Sequence, residues 1–102
     1  MEYANLIMHS DVLPFKIVKW ISEKTIEIQE MDAKLLNPDE LIFHVGGFAG
    51  HCSNNHEARY EFKPRQDAPI IRARKRKDGA FHSKLGRHVL AHYPRKFYDY
   101  NF

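Results

Sequence analysis

The residues best equipped for chemistry lie in one stretch, Gly46 to His56, read as Gly-Gly-Phe-Ala-Gly-His-Cys-Ser-Asn-Asn-His. It holds three of the five glycines, the only cysteine and two of the seven histidines. Imidazole and thiol groups bind metals, move protons or attack electrophiles, while glycines let the backbone take shapes that helices and strands exclude. A shaped recognition loop is therefore expected, with Gly47, Phe48, His51, Cys52 and Asn54 as its contacts. His44, His51, Cys52 and His56 also offer nitrogen and sulfur donors for zinc. Their spacing suits zinc poorly, because His51 and Cys52 are adjacent and no Cys-x-x-Cys pair exists. No metal or other cofactor is expected. A Cys-His nucleophile would need an activating base and a family signature around Cys52, and the sequence supplies no signature. The glycines form neither a Gly-x-Gly-x-x-Gly nor a Walker phosphate loop. Binding thus ranks above a metal- or Cys-dependent enzyme, and no residue is assigned a catalytic role.

A second constellation is electrostatic. Residues 67–102 carry nine Lys or Arg against three Asp or Glu, whereas residues 1–66 carry seven against ten. The last third is basic and the rest mildly acidic, which points to an acidic partner: nucleic acid, a protein surface, or the chain's own acidic half. Within it, Arg72, Arg74 and Arg76 alternate along one segment before Asp78-Gly79, a strong hairpin signal. With a two-residue Asp-Gly turn, Arg76 would face Phe81, Arg74 would face Ser83 and Arg72 would face Leu85. Guanidinium groups in a row track phosphates, and an adjacent ring stacks on a base. Arg72, Arg74, Arg76 and Lys77 are the expected phosphate contacts, and Phe81 the stacking residue. The same pattern suits a solvated edge strand, where positive charge blocks aggregation. Lys75, Lys77 and Lys84 would occupy the other face, so the ribbon would project, held at its base by Ile70, Ile71, Ala73 and Leu85.

The elements that must position these groups read as strands. Phe15–Ile21 and Thr25–Gln29 are rich in β-branched and aromatic residues around Ser22-Glu23-Lys24. A three-residue loop there would place Trp20 opposite Ile26 and Val18 opposite Ile28, gathering all four on one face. A two-residue loop would mix polar and apolar faces, and register is fixed by that distinction. Tyr3 to Val12 is ambiguous between a strand and a helical turn near Ser10, and Asp32 to Glu40 reads as a loop or short helical turn. Leu41–Val45 and Ala58–Lys63 are further strands, the second with Tyr60 and Phe62 on one face. Ile70–Lys77 and Ala80–Leu85 complete at least five. Short strands with frequent turn signals fit a mainly β, small antiparallel barrel or strongly curved sheet, SH3-like or OB-like, with one short helical turn at most.

At 102 residues the chain is expected to form a single domain over 1–102. No apolar run approaches the ~20 residues of a membrane-spanning helix, and the first residues lack a basic n-region and a cleavage site. With one cysteine, the expectation is a cytoplasmic protein without an internal disulfide. Four aromatics in the last six residues should pack back on the sheet, or else present Tyr98, Tyr100 and Phe102 to a partner.

The succession Pro-Phe-Lys-Ile-Val from Pro14, Ile-Ser-Glu-Lys-Thr-Ile-Glu-Ile from Ile21, the Gly46 loop, Ile-Arg-Ala-Arg-Lys-Arg-Lys-Asp-Gly from Ile71, and the terminal Pro-Arg-Lys-Phe-Tyr-Asp-Tyr-Asn-Phe resembles a group of small uncharacterised proteins from phages and bacterial genomes. The likeness covers most of the chain and is carried chiefly by the Gly-Gly-Phe-x-Gly-His-Cys loop and the C-terminal motif. It implies a phage-encoded product in the host cytoplasm and assigns no activity. Two functional expectations follow: a nucleic-acid or acidic-surface binding module using the basic hairpin, or an inhibitor that binds a host anti-phage defence protein through the aromatic tail and glycine loop.

Overall fold

Alternating apolar and polar residues make one-sided strands, and one-sided strands must close around a core. In a computed structural model that describes residues 1–37, 43–44, 51–52 and 59–97, with only the backbone of 43–44 and 51–52, the described residues form ten strands. They are β1 (Tyr3–Ile7), β2 (Val12–Leu13), β3 (Phe15–Ser22), β4 (Thr25–Leu35), β5 (Phe43–His44), β6 (His51–Cys52), β7 (Tyr60–Pro64), β8 (Ile70–Lys75), β9 (Phe81–Ser83) and β10 (Gly86–Ala91). Antiparallel pairing in the order β1-β3-β4-β8-β9-β10 returns to β1 and closes a six-stranded barrel. The expected small antiparallel barrel is the observed fold, and the described residues contain no helix. Its core is Ala4, Leu6, Phe15, Ile17, Ile26, Ile28, Ala73 and Phe81, flanked by Leu13, Ile71 and Leu90.

The β3–β4 hairpin keeps Trp20 opposite Ile26, as expected, but differs on either side. Ser22 faces Thr25, so the turn has two residues, Glu23-Lys24, and Ile17 rather than Val18 faces Ile28. Register shifts between Ile17 and Lys19 and between Trp20 and Ser22 make Val18 and Ile21 the extra residues of two bulges. Bulges increase strand coiling, which a barrel this narrow requires, and they turn the extra side chains outward. Val18 and Ile21 are accordingly exposed.

Strand β4 serves two partners. Its first half pairs with β3 and β8 in the barrel; from Met31 it pairs with β7. Asp32–Leu35 is thus strand, correcting the expected loop or helical turn. The reason lies in cross-strand complementarity: Asp32 faces Lys63, Lys34 faces Glu61, and Ala33 and Leu35 face Phe62 and Tyr60. Buried Asn37 closes this ribbon by accepting the Arg59 N–H on its Oδ1 at 2.7 Å. Tyr60 and Phe62 share a face as expected, their ring centroids 6.3 Å apart.

Tyr3–Ile7 resolves as a strand, with a turn closed by the Met8 N–H donating to the Asp11 carbonyl where a helical turn was an option. The segment after Ser83 holds a strand that the residue pattern alone does not announce. Expected strand Ala80–Leu85 ends at Ser83, because the Ser83 Oγ accepts the Leu85 N–H and turns the chain through Lys84-Leu85. Gly86, at φ +140°, faces Ser83 across that turn and starts β10, which seals the barrel against β1. The residues after β10 fold back, as far as the described chain runs. Asn5, 2% exposed, clamps them, donating from Nδ2 to the Tyr93 carbonyl at 3.0 Å and accepting the Arg95 N–H on Oδ1 at 2.9 Å. Val12 and Phe97 then exchange both backbone hydrogen bonds at 2.9 Å. Tyr98, Tyr100 and Phe102 lie outside the described residues.

Candidate functional site

The basic segment is organised by the turn after β8. Gly79 N–H donates to the Arg76 carbonyl and Arg76 N–H to the Ala80 carbonyl, both at 2.9 Å, which makes Lys77-Asp78-Gly79 a three-residue loop. Gly79 takes φ +83°, the left-handed position such loops require at their third residue. Asp78 Oδ1 accepts the Ala80 N–H at 3.0 Å and pins the return.

The extra loop residue shifts the register by one. Lys75 faces Phe81 and Arg74 faces His82, not Arg76 with Phe81 or Arg74 with Ser83. Phe81 therefore joins the face of Ile71 and Ala73, which is the core face, and is 2% exposed. It cannot stack on a base, which corrects its expected role. Nor does the ribbon project: β8 is bonded to β4 on one side and β9 on the other, within the barrel wall. Leu85 sits in a turn and is exposed, as is Ile70, so neither anchors a base.

The outward face gains what the inward face loses. Arg74 on β8, His82 on β9 and Arg87 on β10 stand opposite one another in successive strands. Neighbouring strands lie about 4.8 Å apart, so these three groups form a row across the sheet. Arg72 flanks the row along β8, and Arg76 and Lys77 extend it into the turn. Arg74, Lys75, Arg76, Lys77, Asp78 and His82 line an open concavity of about 680 Å³. The sequence pattern identifies the arginines of β8 but not His82 or Arg87, which become neighbours only through the three-residue loop and the Lys84-Leu85 turn.

Carboxylates decide how much of this charge is free. Arg72 Nη2 lies 3.6 Å from Glu27 Oε2, its cross-strand partner. Asp78 Oδ2 accepts from His82 Nε2 at 3.0 Å and lies 3.6 Å from Arg87 Nε. The Ala80 N–H above all, and then His82, hold the Asp78 carboxyl below the usual carboxylate range. Other acids are committed elsewhere: Glu30, Asp32 and Asp67 all gather on Arg65, at 3.6, 3.9 and 3.3 Å. Among the described residues no carboxylate lies within ion-pairing distance of Arg74, Lys75, Arg76 or Lys77. Among the described residues, the acidic part of the chain pairs with the basic strand at Arg72 and leaves Arg74 and Lys75 without a carboxylate. Edge protection does not explain it either, since β8 is not an edge.

An aromatic group does stand near this strand. Trp20, on β3, packs edge-on against Phe81 with ring centroids 5.9 Å apart and an interplanar angle of 88°. Phe81 is the cross-strand partner of Lys75, which lines the basic concavity. Trp20 keeps 46% of its surface exposed. Sequence alternation put it on the core face; the bulges at Val18 and Ile21 leave it at the barrel rim.

A buried polar link supports the sheet beneath the row. His88, 0% exposed, presents Nδ1 to the Ala4 carbonyl at 3.0 Å and Nε2 to Ser83 Oγ at 2.7 Å. A carbonyl only accepts, so Nδ1 carries the proton and neutral Nε2 accepts from the hydroxyl. Phe15 meets the imidazole edge-on at 5.0 Å. Burial, as the largest influence, pushes the His88 pKa down; the Ala4 hydrogen bond acts in the opposite direction.

The glycine-rich stretch is only partly within reach. Its His51-Cys52 pair forms a short strand, where no regular strand was expected, and the backbone register sets His51 opposite His44 and Cys52 opposite Phe43. Gly47, Phe48, Asn54 and His56 lie outside the described residues, as do the side chains of His44, His51 and Cys52. Among the described residues no three His, Cys, Asp or Glu side chains are grouped as metal ligands, and no helix is long and apolar enough to cross a membrane. Protein-family models, curated proteins and solved structures were all compared with the chain, and none matches it.

Proposed function

We propose that this chain is a nucleic-acid-binding module, acting on single strands through the outward face of β8 to β10. Arg74, Arg76 and Lys77 contact phosphates from that face, Arg72 and Arg87 extend the contact at either side, and at the barrel rim, on the side of Phe81, Lys75 adds a fourth contact and Trp20 replaces Phe81 as the stacking residue. One observation supports the reading: the exposed Arg74 and Lys75 at the end of β8 and the exposed Arg76 and Lys77 in the turn after it have no carboxylate partner among the described residues, while the half-exposed indole of Trp20 stands at the barrel rim. Base-aromatic stacking combined with a basic track is the usual means of holding single strands without sequence preference. An exposed indole beside a basic track suits a ligand that offers both phosphates and base faces, which makes nucleic acid the preferred partner. A phage product in the host cytoplasm, as the resemblance implies, would meet such a ligand.

The test is a salt titration with a labelled thymidine oligonucleotide. Four phosphate contacts give a slope of log affinity against log salt of about −3 on single strands, roughly a 50-fold loss between 50 and 200 mM. Reversing Arg74→Glu and Arg76→Glu together should remove binding. Absence of binding at low salt, or binding indifferent to salt, overturns the proposal.

A further inference from the structure

The Asp78 carboxylate stands where a ligand anion would. Its Oδ2 is held by His82 Nε2 at 3.0 Å and lies 3.6 Å from Arg87 Nε, two of the three groups of the cross-strand row. It also separates two concavities: one over β8, lined by Arg74, Arg76, Lys77 and His82, and another over β10, lined by Arg87 and Val89. Asp78 lines both. A polyanion following the basic row from β8 to β10 must pass it.

We propose that Asp78 is an internal competitor occupying a phosphate subsite made by His82 and Arg87, and that a backbone phosphate displaces its Oδ2 to join the two concavities into one track. This deepens the nucleic-acid reading and rests on it. The loop permits the exchange, because the two carboxylate oxygens have separate duties. Oδ1 caps the Ala80 N–H and keeps the turn closed, while Oδ2 alone engages His82 and Arg87. Asp78→Asn keeps an oxygen for Ala80 and presents an amide that can hold neither His82 Nε2–H nor Arg87 Nε–H. It removes the competing negative charge from the subsite and leaves the turn intact. Asp78→Ser, whose hydroxyl can also cap Ala80, serves as a second variant. Asp67→Asn is the control for net charge, since it removes the same charge while Arg65 keeps Glu30 and Asp32.

Two probes separate the subsite from the function. With a labelled thymidine oligonucleotide, Asp78→Asn should bind about tenfold more tightly than the native chain, with a salt slope steeper by about 0.7 for one added phosphate contact. Asp67→Asn should stay near the native value. With inorganic phosphate followed by nitrogen NMR, the His82 and Arg87 side chains of Asp78→Asn should shift at lower concentration than those of the native chain. If the oligonucleotide binds native, Asp78→Asn, Asp78→Ser and Asp67→Asn chains alike, the competitor role is overturned and the function stands. If no chain binds oligonucleotide but phosphate titrates onto His82 and Arg87 in Asp78→Asn, the subsite stands and the nucleic-acid reading falls. If neither probe binds, both are overturned.

Discussion

Trp20 is the sharpest point at which to test the proposed interface, because it is the chain's only tryptophan and reports on itself. Replacing it with alanine removes a half-exposed indole and its edge-on contact with Phe81. A fully buried Trp→Ala change costs about 3–5 kcal/mol, so a half-buried one should cost about 2 kcal/mol. For a domain of this size that lowers the melting temperature by roughly 10 °C and leaves a folded protein. The binding effect is separate: losing one base stack costs about 1–3 kcal/mol, or roughly 5- to 150-fold in affinity. Because an indole neutralises no phosphate, the salt slope of Trp20→Ala should equal the native one. Arg74→Ala should do the reverse, flattening the slope by about 0.7 with little change in stability. Trp20→Phe, which retains a ring, should recover most of the affinity. The assay is fluorescence of the native chain titrated with an unlabelled thymidine oligonucleotide, alongside anisotropy of a labelled one. Stacking predicts quenching that saturates with the same midpoint as the anisotropy. Saturating anisotropy with unchanged tryptophan emission would refute it and leave only the basic track.

Two further outcomes concern the scaffold beneath the interface. Burial lowers the folded-state pKa of His88 below its ordinary 6.5, so the neutral form stabilises the barrel above that pH. That contribution should be lost as pH falls from about 6.5 toward the lower folded value, seen as a falling urea midpoint. A His88→Phe chain should be less stable at pH 8 yet flatter with pH, and equal pH slopes for the two chains would contradict the assignment. Asn5→Ala removes both side-chain bonds to residues 93 and 95 and leaves their partners unsatisfied, at about 2–3 kcal/mol. Hydrogen exchange at the Arg95 and Phe97 amides should accelerate strongly, and unchanged protection there would show that the tail is held by something else.

Much of the barrel could be read from strand composition and turn residues, whereas the interface turned on single-residue register. The first hairpin was expected to have a three-residue loop and has two; the second was expected to have two and has three. The first deviation arises from two bulges that curve the strands for closure, a demand set by the whole barrel and not by the local segment. In the first case Trp20 still faces Ile26, so the difference is confined to the bulged Val18 and Ile21 and their neighbours Ile17 and Ser22. In the second the shift carried Phe81 from the ligand side to the core. A face test would have found it: Ile71 and Ala73 are the apolar residues of β8, and Phe81 shares their face only if the loop holds Lys77-Asp78-Gly79. His82 and Arg87 then fall beside Arg74. Asn5 was not legible at all, because its partners are backbone groups roughly ninety positions away.

The cost of leaving the basic strand unpaired argues that it serves a ligand. Alternate residues on a strand lie about 6.8 Å apart, so Arg74 and Arg76 at about that distance repel by about 0.6 kcal/mol in water before salt screens it, and the neighbouring Lys75 and Lys77 add to this. A domain stable by about 5–15 kcal/mol tolerates that, but it is not neutral. The chain has the means to remove it, since three carboxylates gather instead on Arg65. Moreover, among the described residues the acids paired with the basic face sit at its margins, Glu27 against Arg72 and Asp78 against Arg87, leaving Arg74 and Arg76 without a carboxylate within ion-pairing distance. Edge protection, which would explain such a strand in an open sheet, has no place in a closed barrel wall. A polyanion laid along β8 would relieve this repulsion and release counterions together, so the same four side chains that weaken the free barrel would strengthen the complex.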